Sequence, residues 1–130
     1  MAIQTSNYRG RLAPSPTGYL HTGHARTFWT AYERASERSG VLVFRDEDLD
    51  AHRSRLEYAK AMVEDLRWLG IEWQEGPDAG GPAGPYRQSE RRNHYVDAWK
   101  RLLRAGYLYP CHCSRKDLIS GRTGSARFRR

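Results

Sequence analysis

Arg11-Leu-Ala-Pro-Ser-Pro-Thr-Gly-Tyr-Leu-His-Thr-Gly-His24 gathers an arginine, two prolines and two histidines into fourteen residues. A guanidinium grips a carboxylate through two parallel hydrogen bonds, and an imidazole can donate to a phosphate oxygen. Arg11 to Ala13 can end a strand, while Pro14 and Pro16 cannot continue a ladder. The apolar-periodic run after Gly23 predicts a helix, so His21 and His24 fall at a strand-to-helix junction. Unpaired amides at a helix start, with two imidazoles beside them, make an anion-binding corner in which Gly23 lets a ligand approach the backbone closely.

Two further clusters could carry chemistry. Phe44-Arg-Asp-Glu-Asp-Leu-Asp50 follows an apolar run and places four acids at what should be a strand end. Arg11, Glu47 and Asp48 could meet a ligand there or simply pair with one another. Cys111 and Cys113 form a C-x-C pair, too few and too close for a disulfide framework, which leaves metal ligation or plain packing. Tyr86-Arg-Gln-Ser-Glu-Arg-Arg92 reads either as an RNA-facing basic patch or as a charged helix start capped by Ser89. Neither G-x-G-x-x-G nor G-x-x-x-x-G-K-[ST] occurs, which argues against a dinucleotide enzyme and a P-loop ATPase.

The elements that must position these residues read as a βαβ unit. Strands are expected over Arg9 to Ala13 and Val41 to Arg45, joined by a helix from about Gly23 to Arg38 with Ala25, Phe28, Tyr32 and Ala35 inward. A second helix should begin near Ser54, capped by its hydroxyl with Glu57 completing an S-x-x-E box, and turn Leu56, Ala59, Val63, Leu66 and Leu69 inward until Gly70. A third should run from about Ser89 to Ala105 with Tyr95, Ala98, Trp99, Leu102 and Leu103 inward. Gly76 to Pro85 is too rich in glycine and proline for a regular element and should be a surface loop. Tyr107 to Tyr109 is a short strand candidate.

Length and charge bound the rest. At 130 residues one compact domain is the ceiling. No apolar run is long enough to span a membrane and no signal-peptide pattern opens the chain, so a cytoplasmic protein is expected. The net charge of +7 suggests nucleic acid, yet residues 1 to 113 hold 16 Lys plus Arg against 14 Asp plus Glu, a net of +2. Ser114 to Arg130 supplies the remainder with six basic residues against Asp117. A basic, disordered tail over 119–130 is the expectation.

Taken together, the Arg11–His24 stretch, the Phe44–Asp50 acids, Trp68-Leu-Gly-Ile-Glu-Trp-Gln-Glu-Gly-Pro77 and Gly84-Pro-Tyr-Arg-Gln-Ser-Glu-Arg91 resemble the glutamyl branch of the class I aminoacyl-tRNA synthetases. Tyr109-Pro-Cys-His-Cys-Ser-Arg-Lys-Asp-Leu118 is most similar to the glutamyl-Q tRNA(Asp) synthetase group within that branch. The resemblance runs from about Tyr8 to Leu118 and is expected to stop there. It implies an α/β fold, an incomplete Rossmann-like (HUP-type) parallel sheet with flanking helices, in which residues 1–118 are the N-terminal part of the nucleotide-binding catalytic domain. An edge of the sheet should then lie exposed.

The resemblance also implies roles. Arg11, Ala13, Pro14, Ser15 and Glu47 would hold glutamate, with Glu47 facing its amino group. Thr17, His21, Gly23 and His24 would hold ATP, and His21, Gly23 and His24 would serve catalysis. ATP with Mg is the implied nucleotide, tRNA(Asp) bearing queuosine the implied acceptor, and a monomer the implied state. Cys111 and Cys113 match the first pair of a zinc site whose later ligands this chain lacks, so zinc binding should be weak. Two departures stand out. Thr22 replaces an isoleucine, and Asp46 occupies a position where the family prefers an apolar residue; a carboxylate on the buried face of a strand costs several kcal/mol or takes up a proton.

Overall fold

The computed structural model describes residues 7–111 and 113–116. The order is β1 (Arg9–Leu12), α1 (Thr22–Glu37), β2 (Val41–Phe44), α2 (Leu56–Trp68), a 3-10 turn at Ser89–Arg91 and α3 (Arg92–Arg104). The chain divides into two compact units, Met1–Tyr95 and Val96–Arg130.

In the first unit β1 and β2 pair in parallel, Arg9 opposite Val41 through Leu12 opposite Phe44, with α1 as the crossover. This is the expected βαβ unit. Gly10 and Leu12 turn inward while Arg9 and Arg11 stay outside, the two-residue alternation of a half-buried strand. The core is Leu12, Phe28, Ala35, Leu42, Phe44, Met62, Leu66 and Ile71. Each large aliphatic side chain buried there contributes roughly 2 kcal/mol.

The outer edge of β2 is covered by two separate stretches. Val43 forms a parallel bridge with Glu75, and Asp46 forms one with Arg87. The Gly76–Pro85 segment between them is mostly exposed loop, as expected, closed on itself by a bridge between Gly76 and Gly80. Among the described residues β1 pairs with β2 alone, leaving its other edge open.

Several expectations change. Ser54 does not cap α2: the helix starts at Leu56 after an extended Arg55, and no side chain caps it. The turn before it is organised by Asp50, whose carboxylate accepts from the His52 and Arg53 amides at 3.2 and 3.3 Å. Leu56 lies outside, 62 % exposed, and Met62 takes the inward place beside Leu66. Helix α3 has no buried residue, so Tyr95, Trp99, Leu102 and Leu103 are exposed rather than inward. Tyr107 to Tyr109 forms no strand, because no backbone ladder is offered to it among the described residues. The expected tail over 119–130 and Leu118 lie outside the described residues.

Candidate active site

Pro14 and Pro16 are buried, and both prolines and the strand before them turn their carbonyls toward the following elements. The Arg45 amide donates to Leu12 at 2.9 Å, the Glu47 amide to Pro14 at 3.0 Å and the Arg55 amide to Pro16 at 2.9 Å. A proline has no amide to donate, so the loop is held by its acceptors alone. Ala13, Pro14 and Ser15 are thereby fixed beside Glu47, and Thr17 closes the turn by donating to the Ser15 carbonyl at 2.8 Å.

The two histidines form a reciprocal cap on α1. His21 Nδ1 accepts from the Gly23 amide at 3.1 Å, and His24 Nδ1 accepts from the His21 amide at 3.3 Å. Their ring centroids are 3.9 Å apart. With both Nδ1 atoms accepting, each neutral ring carries its proton on Nε2, and that N–H is a donor not used by the cap. Partial burial, with His21 nearby, holds His24 below the ordinary histidine range and so favours the neutral form. Gly23 has a requirement the sequence did not disclose: a Cβ there would meet His21 Cε1 at 2.9 Å. The space above Gly23 is occupied by a ring of the chain itself.

The acids separate into three settings. Glu47 is hydrogen-bonded to Arg45. Asp48 accepts from the Ser89 amide at 2.8 Å and the Ser89 hydroxyl at 2.6 Å, making Asp48 a tether for the start of the 3-10 turn. Asp46 is buried, and its carboxyl is pushed up to about 6, chiefly by burial and by the Asp48 charge against the pull of Arg87. Arg11 joins none of them. It lines an open cleft of about 530 Å³ with Arg9, Arg26, Thr27, Thr30 and Arg34, and makes no ion pair among the described residues.

Glu75 is the polar residue that sequence reasoning missed. Its Oε2 accepts from Arg9 at 2.7 Å and from the Tyr86 hydroxyl at 2.6 Å, which in turn accepts from the Ala83 amide at 3.1 Å. Arg9 first and Tyr86 second hold the Glu75 carboxyl below its usual range. Gly81 packs over this network at φ +137°, where a Cβ would overlap the Tyr86 hydroxyl. Partners 66 residues apart leave no signature in local spacing.

Cys111 and Cys113 are exposed free thiols, and the Cys111 neighbour pushes the Cys113 thiol up. His112 lies outside the described residues. Among those described, no three His, Cys, Asp or Glu side chains converge as a metal site needs, so two thiols alone do not fit the tetrahedral shell that structural zinc demands. No helix among them is long and apolar enough to cross a membrane.

Residues 7–129 match the model of the family described as tRNA synthetases class I (E and Q), catalytic domain. The chain belongs to that family. The match continues past Leu118, where the quoted motifs end. Among curated relatives, a glutamyl-Q tRNA(Asp) synthetase of Nitratidesulfovibrio vulgaris is 51% identical over 110 residues, covering 85% of this chain and 34% of the relative. A glutamate–tRNA ligase of Sulfurihydrogenibium sp. is also 51% identical over 110 residues, covering 85% and 23%. A solved glutamate tRNA ligase from Elizabethkingia meningosepticum, in complex with its amino acid, has a TM-score of 0.77 at 38% identity, over 88% of this chain and 23% of its own. The chain thus spans about a third or less of the length of these relatives, and its α/β fold is that of a class I synthetase catalytic domain.

Proposed function

We propose that this chain carries the N-terminal part of a glutamate-activating site: it binds ATP and glutamate and serves the formation of glutamyl-adenylate, from which glutamate passes to the queuosine of tRNA(Asp). The observation that supports this most is the reciprocal histidine cap, which commits both Nδ1 atoms to α1 and leaves two Nε2–H donors at a helix start beside the loop that holds Glu47. In this reading a carboxylate oxygen of glutamate attacks the α-phosphorus of ATP, the bond to the bridging oxygen breaks, and pyrophosphate leaves. The enzyme's part is alignment and neutralisation of the charge on phosphorus, and no protein nucleophile is called for.

His21 and His24 donate to the phosphates with Thr17 nearby, and ATP enters as its magnesium complex, a substrate rather than a resident group. Arg11 grips the glutamate carboxylate from the open cleft, and Glu47, backed by Arg45, receives the ammonium with Ala13, Pro14 and Ser15 forming the wall. Glutamate-dependent exchange of pyrophosphate into ATP by the purified chain is the expected result, and exchange without glutamate, or none, would count against it. Arg11→Ala should weaken glutamate use about 100-fold, corresponding to about 3 kcal/mol for a charge-assisted pair, with ATP affinity unchanged.

A second acceptor competes. The equal identity to a glutamate–tRNA ligase favours transfer to tRNA(Glu) as strongly as the glutamyl-Q relative favours tRNA(Asp). The Tyr109–Leu118 motif tips the reading to tRNA(Asp). Offering both tRNAs, with and without queuosine, to the chain decides between them.

A further inference from the structure

Asp46 violates the rule that the rest of the core obeys. Its side chain is 5 % exposed, its Oδ2 stands 3.6 Å from Arg87 Nε, and neither its Oδ1 nor Arg87 Nε has a hydrogen-bond partner. An apolar side chain would fill this position without desolvating a charge, so the carboxylate gains nothing in packing. Buried groups that break a packing rule without local compensation collect where function needs them.

The place of Asp46 in the backbone says which function. Its amide donates to the Tyr86 carbonyl at 3.0 Å, and its carbonyl accepts from the Gln88 amide at 3.0 Å. One residue on, the Glu47 amide is tied to Pro14, and one further, Asp48 is tied to Ser89. Glu47 therefore sits at the middle of a three-residue span stitched on one side to the proline loop and on the other to the Tyr86–Ser89 segment. Among the described residues, the Asp46–Arg87 ion pair is the side-chain interaction across the bridge at its root.

We propose that Asp46 and Arg87 are positioning residues for the substrate-ammonium site: their pairing across the bridge sets where the end of β2, and with it the Glu47 carboxylate, stands, although neither touches the substrate. This rests on the reading of Glu47 given above. The pair is open to pH because of what surrounds it. Asp48 and Glu90 oppose the Asp46 charge, Arg87 supports it, and Arg55, Lys60, Glu64, Arg67 and Asp78 line the two cavities, of about 260 and 300 Å³, that flank it. When Asp46 takes a proton, Arg87 loses its counter-charge and the span is held by its backbone bonds and the Asp48–Ser89 contacts.

The test compares glutamate with glutarate, which has both carboxylates and no ammonium, by calorimetric titration of the full chain with ATP present. The expected outcome is that the unaltered chain prefers glutamate, that this preference falls as pH drops through about 6, and that Asp46→Asn shows a preference about 10-fold lower above that pH and independent of pH, while glutarate and ATP affinities hold. Arg87→Met should reproduce the loss. Amide NMR signals of Glu47, Arg87 and Ser89 should titrate together with a midpoint near 6 in the unaltered chain and lose that midpoint in Asp46→Asn, and the same spectra establish that each variant is folded. A preference for glutamate that Asp46→Asn leaves intact overturns the positioning role alone. Equal binding of glutamate and glutarate by the unaltered chain removes the Glu47 reading and the positioning role with it.

Discussion

Glu75 and Asp46 sit on the same edge of β2, two buried carboxylates on or beside neighbouring parallel bridges, and they behave oppositely. Glu75 receives hydrogen bonds from Arg9 and Tyr86 and is held below its usual range; Asp46 receives none on its side chain and is pushed up to about 6. Burial penalises both. The donors decide the sign, since a carboxylate that accepts two good hydrogen bonds recovers more than its desolvation cost and one facing a guanidinium at 3.6 Å does not. Glu75 is thus a structural acid that fastens the loop over the sheet, whereas Asp46 is a standing cost.

The contrast predicts opposite pH trends. The unfolded Asp46 loses its proton near 3.8 and the folded one near 6, so between those values the native state holds a proton that the unfolded chain has shed. Stability falls as pH rises through that window, by about 3 kcal/mol in all. Urea denaturation from pH 4 to 8 should show this component in the unaltered chain and its absence in Asp46→Asn, which should be the more stable protein at pH 8; a slope shared by both would abolish the contrast. Glu75 contributes the other way, its stabilisation present above about 4.5 and lost as pH falls through its lowered folded value.

Smaller effects sharpen the comparison. Tyr86→Phe removes one of the two donors to Glu75 and should lower the thermal midpoint by about 5 °C at neutral pH, with the gap narrowing in acid once Glu75 is protonated. A gap that ignored pH would mean the hydroxyl acts through the Ala83 amide and not through Glu75. Smaller still, His21→Ala removes half of the cap on α1 and should cost about 1 kcal/mol while leaving both carboxylate trends unchanged, measured by the same urea series.

What could be read in advance followed the range of the interactions. The βαβ unit, the proline loop and the placing of His21 and His24 at the start of α1 are local patterns, and each was legible. Asp46 was legible as an anomaly because the family this chain resembles prefers an apolar residue there. The partner sets were not. Arg45 to Glu47 spans two residues and still escaped, because Arg11 was the partner considered for Glu47 and Asp48; Asp48 to Ser89 and Arg9 to Glu75 span 41 and 66 residues and depend on how the loops return. Ser54 fitted a capping pattern that the Asp50 turn pre-empted. The inward face assigned to α3 rested on periodicity, which reports that a stripe exists and is silent on what lies against it.

The two parallel bridges have a consequence for how copies of this chain could add to one another. They cover the far side of β2, so among the described residues the sheet keeps one free edge, along β1. A sheet with two free edges can grow without limit, each added copy presenting a fresh template. A sheet with one cannot: two copies joined along β1 consume both edges and stop at a closed pair. Among the described residues, the short stretches at Glu75 and Arg87 therefore leave β1 as the edge along which a further strand could add to this sheet.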